Sequence, residues 1–130
     1  MENEFKGVFA PLTTPFDKEN ISPYKFKENI ERYNSFDLSG YVILGSSGES
    51  IYLTDEESEQ MVQTAIEAAA PEKKIIVGTA RESTRNTLEF TKRMAISGID
   101  AVLVRTPSYY KGLMNHEALK KHYFTLADKS

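Results

Sequence analysis

The sequence has no cysteine and only two histidines among its 130 residues. Without cysteine, the chain forms no disulfide, has no thiolate nucleophile and binds no metal ion through sulfur. The histidines, His116 and His122, are six positions apart, whereas a pair that shares a zinc ion on one helix face is separated by about four. We therefore predict that both lie on a helix surface, and we expect no metal ion.

Long runs of basic or apolar residues are also missing. The longest basic run is a pair, such as Lys73 with Lys74, and the formal net charge is -3. A nucleic-acid partner would require a clustered basic face, so none is expected. No stretch approaches the roughly 20 apolar residues of a membrane span, and residues 1–6 lack the apolar stretch of a signal peptide. We expect a soluble, cytoplasmic protein with no membrane partner.

Four short apolar runs alternate with four longer helical patterns. Apolar residues make up 40% of the chain and charged residues 27%, a mixture that can bury a core. The runs comprise residues 7–13, 41–44, 75–77 and 101–104. Continuous apolar runs suit strands that are buried on both faces. Their alternation with helices predicts parallel strands joined by right-handed crossovers.

Each helical pattern begins with a residue that suits a helix N-terminus. These residues are Ser22 before Pro23, Thr54 with Glu57 as a capping box, Ser83 or Thr84, and Asn115. The predicted buried faces comprise Phe26, Ile30 and Tyr33; Met61, Val62, Ala65, Ile66 and Ala69; Leu88, Thr91 and Ala95; and Leu119, Tyr123 and Leu126. Gly40 is expected to end the first helix.

Two architectures fit four such units: an open doubly wound sheet, or part of a closed (βα)8 barrel of about 250 residues. The loop at residues 14–20 contains no glycine, so the dinucleotide-binding fingerprint of the first architecture is missing. The long loops after the strands favour the barrel. Pro11 lies inside the first predicted strand, where it removes a hydrogen-bond donor. Periodicity alone leaves both architectures open.

The loop after the second predicted strand carries residues suited to chemistry. It places Ser46 and Ser47 between Gly45 and Gly48, so that hydroxyl and backbone N–H groups can hold a carboxylate or a phosphate. The same composition also fits a plain turn. A serine-hydrolase elbow needs a glycine two positions after its serine, and this sequence has Glu49 there.

The loop after the fourth predicted strand contains two adjacent tyrosines, Tyr109 and Tyr110, followed by Lys111. Phenol groups can donate or relay protons, although paired tyrosines also occur as surface packing. Lys111 suggests a nucleophile, but nothing near it would desolvate its amine. We predict a solvated loop lysine.

At these loops the sequence resembles the dihydrodipicolinate synthase/N-acetylneuraminate lyase family of class I aldolases. The segments that carry the resemblance are residues 7–16, 45–49, 98–101 and 106–110, together with Leu53, Thr54 and Glu57. They occur in the family's order and spacing over essentially the whole chain. The resemblance implies α/β architecture of the TIM (β/α)8 type, in which residues 1–130 form the (βα)4 N-terminal half of a single domain.

In this family the substrate, usually pyruvate, forms a Schiff base with a lysine on strand six. A tyrosine on strand five joins a proton relay with a hydroxyl residue and a second tyrosine. The resemblance assigns the relay hydroxyl to Ser46 and binding of the substrate carboxylate to Ser47 and its flanking glycines. It assigns the second tyrosine, which is lent across a subunit interface, to Tyr109, with Tyr110 as the alternative. A homo-oligomer without a cofactor is therefore implied.

The chain stops at Ser130, where strand five would begin. We expect the Schiff-base lysine to lie beyond this point, so that the chain alone is inactive. Within the family, residues 82–84, 106–112 and 118–123 are most similar to 4-hydroxy-2-oxoglutarate aldolases, with dihydrodipicolinate synthases close behind. Two alternatives stay open: a non-catalytic module that binds small carboxylates, and a half-barrel that dimerises.

Overall fold

The computed structural model describes residues 5–130 and contains one sheet of four parallel strands. The strands are β1 (Phe9–Pro11), β2 (Gly40–Ile43), β3 (Lys74–Gly78) and β4 (Ala101–Leu103), and the helices are α1 (Pro23–Tyr33), α2 (Asp55–Ala68), α3 (Thr84–Ile96) and α4 (His116–Lys129). Strands that are consecutive in the chain are neighbours in the sheet. A doubly wound sheet reverses its strand order, so the observed order is that of one half of a (β/α)8 barrel.

The first strand is shorter than predicted and lies at an edge of the described sheet. It pairs only with β2, and Pro11 stands opposite Val42. An edge strand tolerates proline because one side of the strand makes no ladder hydrogen bonds. The ladder continues past the proline, since the backbone N–H of Leu12 donates to the Val42 carbonyl at 3.0 Å. A two-stranded hairpin, Phe16–Asp17 with Asn20–Ile21, occupies the loop that follows.

The predicted helix starts are confirmed, with one difference in chemistry. The Thr54 hydroxyl accepts from the Glu57 backbone N–H at 3.1 Å, and the Glu57 carboxylate accepts from the Thr54 backbone N–H at 2.9 Å. Ser83 and Asn115 cap α3 and α4 with their side chains. Ser22 occupies the cap position of α1, but its side chain makes no capping hydrogen bond. Pro23 at the first helical position therefore favours the start of this helix, because its fixed φ suits the first turn.

The predicted end of the first helix is wrong. Helix α1 ends at Tyr33 with Asn34 as its C-cap, and Gly40 begins β2 instead. A Cβ atom at Gly40 would lie 2.1 Å from the Lys74 carbonyl oxygen, so glycine is needed there for close approach of two strands. The Asn34 side chain links three elements: its amide N–H donates to the Ala68 carbonyl at the end of α2, and its amide oxygen accepts from the Tyr41 hydroxyl on β2 and from the Ala70 backbone N–H.

The core lies between the sheet and the helices. It contains Phe26 and Ile30 of α1 and Met61, Val62 and Ala65 of α2, and the other predicted residues of these two faces are partly buried against it. The predicted face of α3 needs correction, because Ala95 is exposed and the helix buries Thr87, Phe90, Thr91 and Met94. The surface assignment of His122 is also wrong: only 5% of this residue is exposed. His116 is exposed, as predicted. Within residues 5–130, no helix combines the length and apolar character needed to cross a membrane.

Candidate active site

A cleft of about 570 Å³ lies at the carboxyl ends of β2, β3 and β4. Its walls come from the loops after these strands and include Ser46, Tyr52, Arg81, Glu82 and Arg105. In barrels of this type, ligands bind at this end of the strands because the loops there are free to vary without disturbing the core. The cleft is therefore the candidate active site.

The backbone before Ser46 adopts an unusual conformation. Leu44 is buried and has a φ of 59°, a left-handed value that is costly for a residue other than glycine. Its carbonyl oxygen points at β3, where a Cβ atom on Gly78 would lie only 2.1 Å away. The loop then closes as a tight turn, with the Gly48 N–H donating to the Gly45 carbonyl at 3.1 Å. The surrounding structure thus forces the loop to leave β2 in one direction.

A buried threonine, not anticipated from the sequence, fixes the other side of this turn. The Thr14 hydroxyl donates to the Gly48 carbonyl at 2.6 Å, and Thr14 is 7% exposed. A Cβ atom on Gly48 would lie 3.1 Å from the Leu12 carbonyl oxygen, so the turn packs closely against the segment after β1. The adjacent threonines at positions 13 and 14 were the only signal available in the sequence.

The two candidate serines differ in position. Both are exposed, and Ser46 lines the cleft whereas Ser47 does not. The structure shows no hydrogen bond from either hydroxyl to another of the residues it describes. Of the flanking glycines, Gly45 lines the cleft, while the Gly48 N–H is committed to the turn. Ser46 and Gly45 therefore line the candidate site, and the Gly48 N–H belongs to the turn.

The two tyrosines do not join this cleft. Tyr109 and Tyr110 are 79% and 66% exposed, and their rings pack edge to face with centroids 4.9 Å apart. Neither lines the cleft that contains Ser46. Lys111 is exposed, as predicted. Within the described chain, Tyr109 therefore lies outside the lining of the cleft that contains Ser46.

Charged residues of the cleft, not singled out from the sequence, are held by ion pairs. Arg81 donates to Asp55 at 3.1 and 2.6 Å, and its guanidinium lies 3.9 Å over the Phe90 ring. Burial disfavours the charged form of Asp55, but hydrogen bonds and positive charge from Arg81 and Arg93 outweigh it and lower the pKa of that carboxyl. Within residues 5–130, no group of three or more histidine or carboxylate residues is arranged to hold a metal ion.

The fold and cleft define an α/β chain of the (β/α)8-barrel class, and comparisons with known proteins identify its family. The family model described as the Dihydrodipicolinate synthetase family matches residues 4–130. The 4-hydroxy-tetrahydrodipicolinate synthase of Oenococcus oeni is 33% identical over 129 residues, which are 98% of this chain and 44% of the relative. The corresponding synthase of Methanospirillum hungatei is 35% identical over 95% of this chain and 43% of the relative.

Solved structures agree with this assignment. Dihydrodipicolinate synthase from Aquifex aeolicus has a TM-score of 0.90 and 29% identity over 97% of this chain and 42% of that one. Ruminococcus gnavus sialic acid aldolase shares the fold with a TM-score of 0.87 and 23% identity, over 98% of this chain and 42% of that one. The chain belongs to the dihydrodipicolinate synthetase family, a family of lyases, and it spans less than half the length of these relatives.

Proposed function

We propose that this chain supplies the first four strand–helix units of a single barrel domain that acts as a Schiff-base-forming pyruvate aldolase or lyase. The observation that carries the proposal is the exposed hydroxyl of Ser46, which lies in the cleft at the carboxyl ends of the strands. Membership of the lyase family supports this choice of chemistry. Pyruvate is the proposed substrate, and the cytoplasmic location stays a prediction.

Each site residue has a proposed role. Ser46 relays protons, because its hydroxyl both donates and accepts and is not committed to a described neighbour. Ser47 binds the substrate carboxylate with its hydroxyl, assisted by the backbone around Gly45. Tyr109 acts in the cleft of a second copy, which is the reason that we propose a homo-oligomer. Its exposure within one chain supports this role.

The proposed reaction needs an amine that this cleft does not contain. No lysine is among the residues of the described chain that line the cleft, and imine formation requires a positioned, largely unprotonated amine. We therefore propose that the nucleophilic lysine belongs to the remaining half of the barrel and that the 130-residue chain has no turnover by itself.

The test is reductive trapping of the imine. A chimeric barrel is made in which this chain replaces the segment of the Oenococcus oeni synthase that it matches. With pyruvate and borohydride, mass spectrometry should find one pyruvate-derived adduct on the chimera and none above background on the isolated chain. A specific adduct on the isolated chain, or a folded chimera that traps none, would contradict the proposal.

A second candidate is a module that binds small carboxylates without catalysis. The exposed, uncommitted hydroxyls beside a tight glycine turn favour it. This candidate predicts saturable pyruvate binding by the isolated chain, lost in Ser47→Ala, without any adduct in the chimera. Which second substrate the enzyme would use, that of a 4-hydroxy-2-oxoglutarate aldolase or of a dihydrodipicolinate synthase, stays a prediction.

A further inference from the structure

A single carboxylate, that of Glu82, holds the loop that carries Tyr109. Glu82 lies between β3 and α3, and its Oε2 atom accepts the backbone N–H groups of Ser108 at 2.9 Å and Tyr109 at 3.0 Å. Its Oε1 atom accepts from the Ser108 hydroxyl at 3.3 Å and from the Arg105 guanidinium at 3.2 and 3.3 Å. Five donor–acceptor contacts therefore converge on one side chain from a distant part of the sequence.

These contacts position the backbone that carries the two tyrosines. Most of each ring is exposed, so packing within the described chain contributes little to their placement. Tyr110 packs edge to face on Tyr109, and the Tyr109 amide is bonded directly to Glu82. The backbone position from which the Tyr109 side chain extends therefore depends on Glu82.

The ionised carboxylate of Glu82 is the form that accepts hydrogen bonds from this loop. Hydrogen bonds from the backbone N–H groups of Tyr109 and Ser108 lower the pKa of the Glu82 carboxyl. Arg105 lowers this pKa further, and slight burial acts in the opposite direction. Bonds to a charged acceptor are shorter and stronger than neutral ones. Glu82 also lines the cleft that contains Ser46, so one residue connects the cleft with the tyrosine loop.

We propose that Glu82 is a positioning residue whose carboxylate fixes residues 105–110 so that the Tyr109 phenol is presented in one place for proton transfer. This inference rests on the proposed function, in which Tyr109 belongs to the relay. A carboxylate is required because both of its oxygens accept, whereas the glutamine amide offers one acceptor and turns an NH2 group toward the donors.

The test compares Glu82→Gln with Glu82→Asp and with Glu117→Gln, an exposed carboxylate on α4. In the chimeric barrel, Glu82→Gln should speed amide hydrogen exchange at Ser108 and Tyr109 by about tenfold or more. In the chimeric barrel it should lower kcat by about 10- to 100-fold, since a misplacement of about 1 Å costs up to this much.

The KM for pyruvate and the yield of trapped imine distinguish a positioning role from a role in substrate binding. In Glu82→Gln, the KM for pyruvate and the final yield of trapped imine should stay within about twofold, because the proposed carboxylate-binding groups and the nucleophilic lysine are not part of the loop that Glu82 holds. Glu82→Asp, which keeps both acceptor oxygens, should recover part of kcat. Glu117→Gln should change neither kcat nor the exchange.

Three results would overturn the inference. They are unchanged exchange at Ser108 and Tyr109 in Glu82→Gln, faster exchange with unchanged kcat, and a raised KM with unchanged kcat. Failure of the proposed function is distinguishable, because the unsubstituted chimera would then trap no imine. In that case the exchange measurement alone decides whether Glu82 holds the loop.

Discussion

Ser46 and Ser47 are adjacent, and the roles proposed for them differ. Ser46 faces the cleft, and Ser47 lies on the same turn outside its lining. In the chimeric barrel, Ser46→Ala should lower kcat by about 10²- to 10⁴-fold, the usual contribution of a general acid–base group. Ser47→Ala should raise the KM for pyruvate more than it lowers kcat, because it removes a donor to the carboxylate.

The control for this pair is Ser35→Ala, which removes a hydroxyl that bonds only to the local Arg32 carbonyl among the described residues. All three variants should be compared at matched melting temperatures by steady-state kinetics. Similar small effects at Ser46 and Ser47 would mean that both merely shape a turn, and the relay assignment would then be wrong.

His122 is a second residue whose surroundings determine its behaviour. Its Nδ1 atom lies 2.8 Å from the Thr84 hydroxyl, and burial lowers its pKa below 6.5, the value expected for the unfolded chain. Below pH 6.5 the unfolded state therefore binds more protons than the folded state. The free energy of unfolding should be constant well above pH 6.5, where neither state binds the proton, and should fall as the pH drops from there through the folded pKa.

Denaturant unfolding between pH 7.5 and about 5 measures this effect, since carboxylates titrate mainly at lower pH. His122→Gln should flatten the dependence in this window, whereas His116→Gln, at an exposed position, should leave it unchanged. An equal slope in all three proteins would show that His122 makes no contribution.

At the scale of elements, close approach of strand and loop builds the cleft. Gly78 ends β3 directly against the Leu44 carbonyl. Gly78→Ala should destabilise the chain by about 1–3 kcal/mol, the cost of forcing extra atoms into a packed site. Gly112→Ala, where no atom lies within 4 Å of the added Cβ, should stay within about 0.5 kcal/mol of the parent.

Thermal or denaturant melts compare the two glycine variants. In the chimeric barrel, Gly78→Ala should also lower kcat, because the loop that carries Ser46 must shift to relieve the contact. A Gly78→Ala protein with parental stability and parental kcat would show that an added Cβ atom has more room than the 2.1 Å to the Leu44 carbonyl oxygen implies.

At the scale of the whole molecule, the isolated chain leaves apolar surface and strand edges uncovered. Val102 and Leu103 on β4 are 37% and 51% exposed, and β1 and β4 each pair on one side only. Such edges favour association. Light scattering should therefore find oligomers or aggregates, and Val102→Lys should reduce them. A monodisperse, cooperatively melting monomer would contradict this expectation.

Because Tyr109 lies outside the Ser46 cleft of its own chain, we predict that two variants can complement each other in an oligomer. Two inactive chimeras, Ser46→Ala and Tyr109→Phe, should regain about one quarter of parental kcat when unfolded and refolded together. Half of randomly formed symmetric pairs are mixed, and each mixed pair holds one intact site. Refolding each variant alone is the control. If the mixture stays inactive, Tyr109 does not act in a second copy.

The sequence by itself determined the order of elements and the position of the site loops. Cap residues and apolar runs act locally, so Thr54 with Glu57, Asn115 and the run at 41–44 could be interpreted without neighbours. The resemblance then indicated the barrel, which periodicity had left open. These features depend on residues a few positions apart or on motif spacing that resembles the family's.

Only the tertiary structure decided which residues meet across the fold. Gly40 and Gly78 lie against neighbouring backbones, and Thr14 bonds to the turn that carries Ser46. His122 is buried beside Thr84 at the start of α3, and Glu82 bonds to Ser108 and Tyr109, which follow it by 26 and 27 residues. No local pattern predicts such contacts, because they arise from packing of elements that are distant in the chain. The position of Tyr109 outside the Ser46 cleft of its own chain was likewise visible only in the structure.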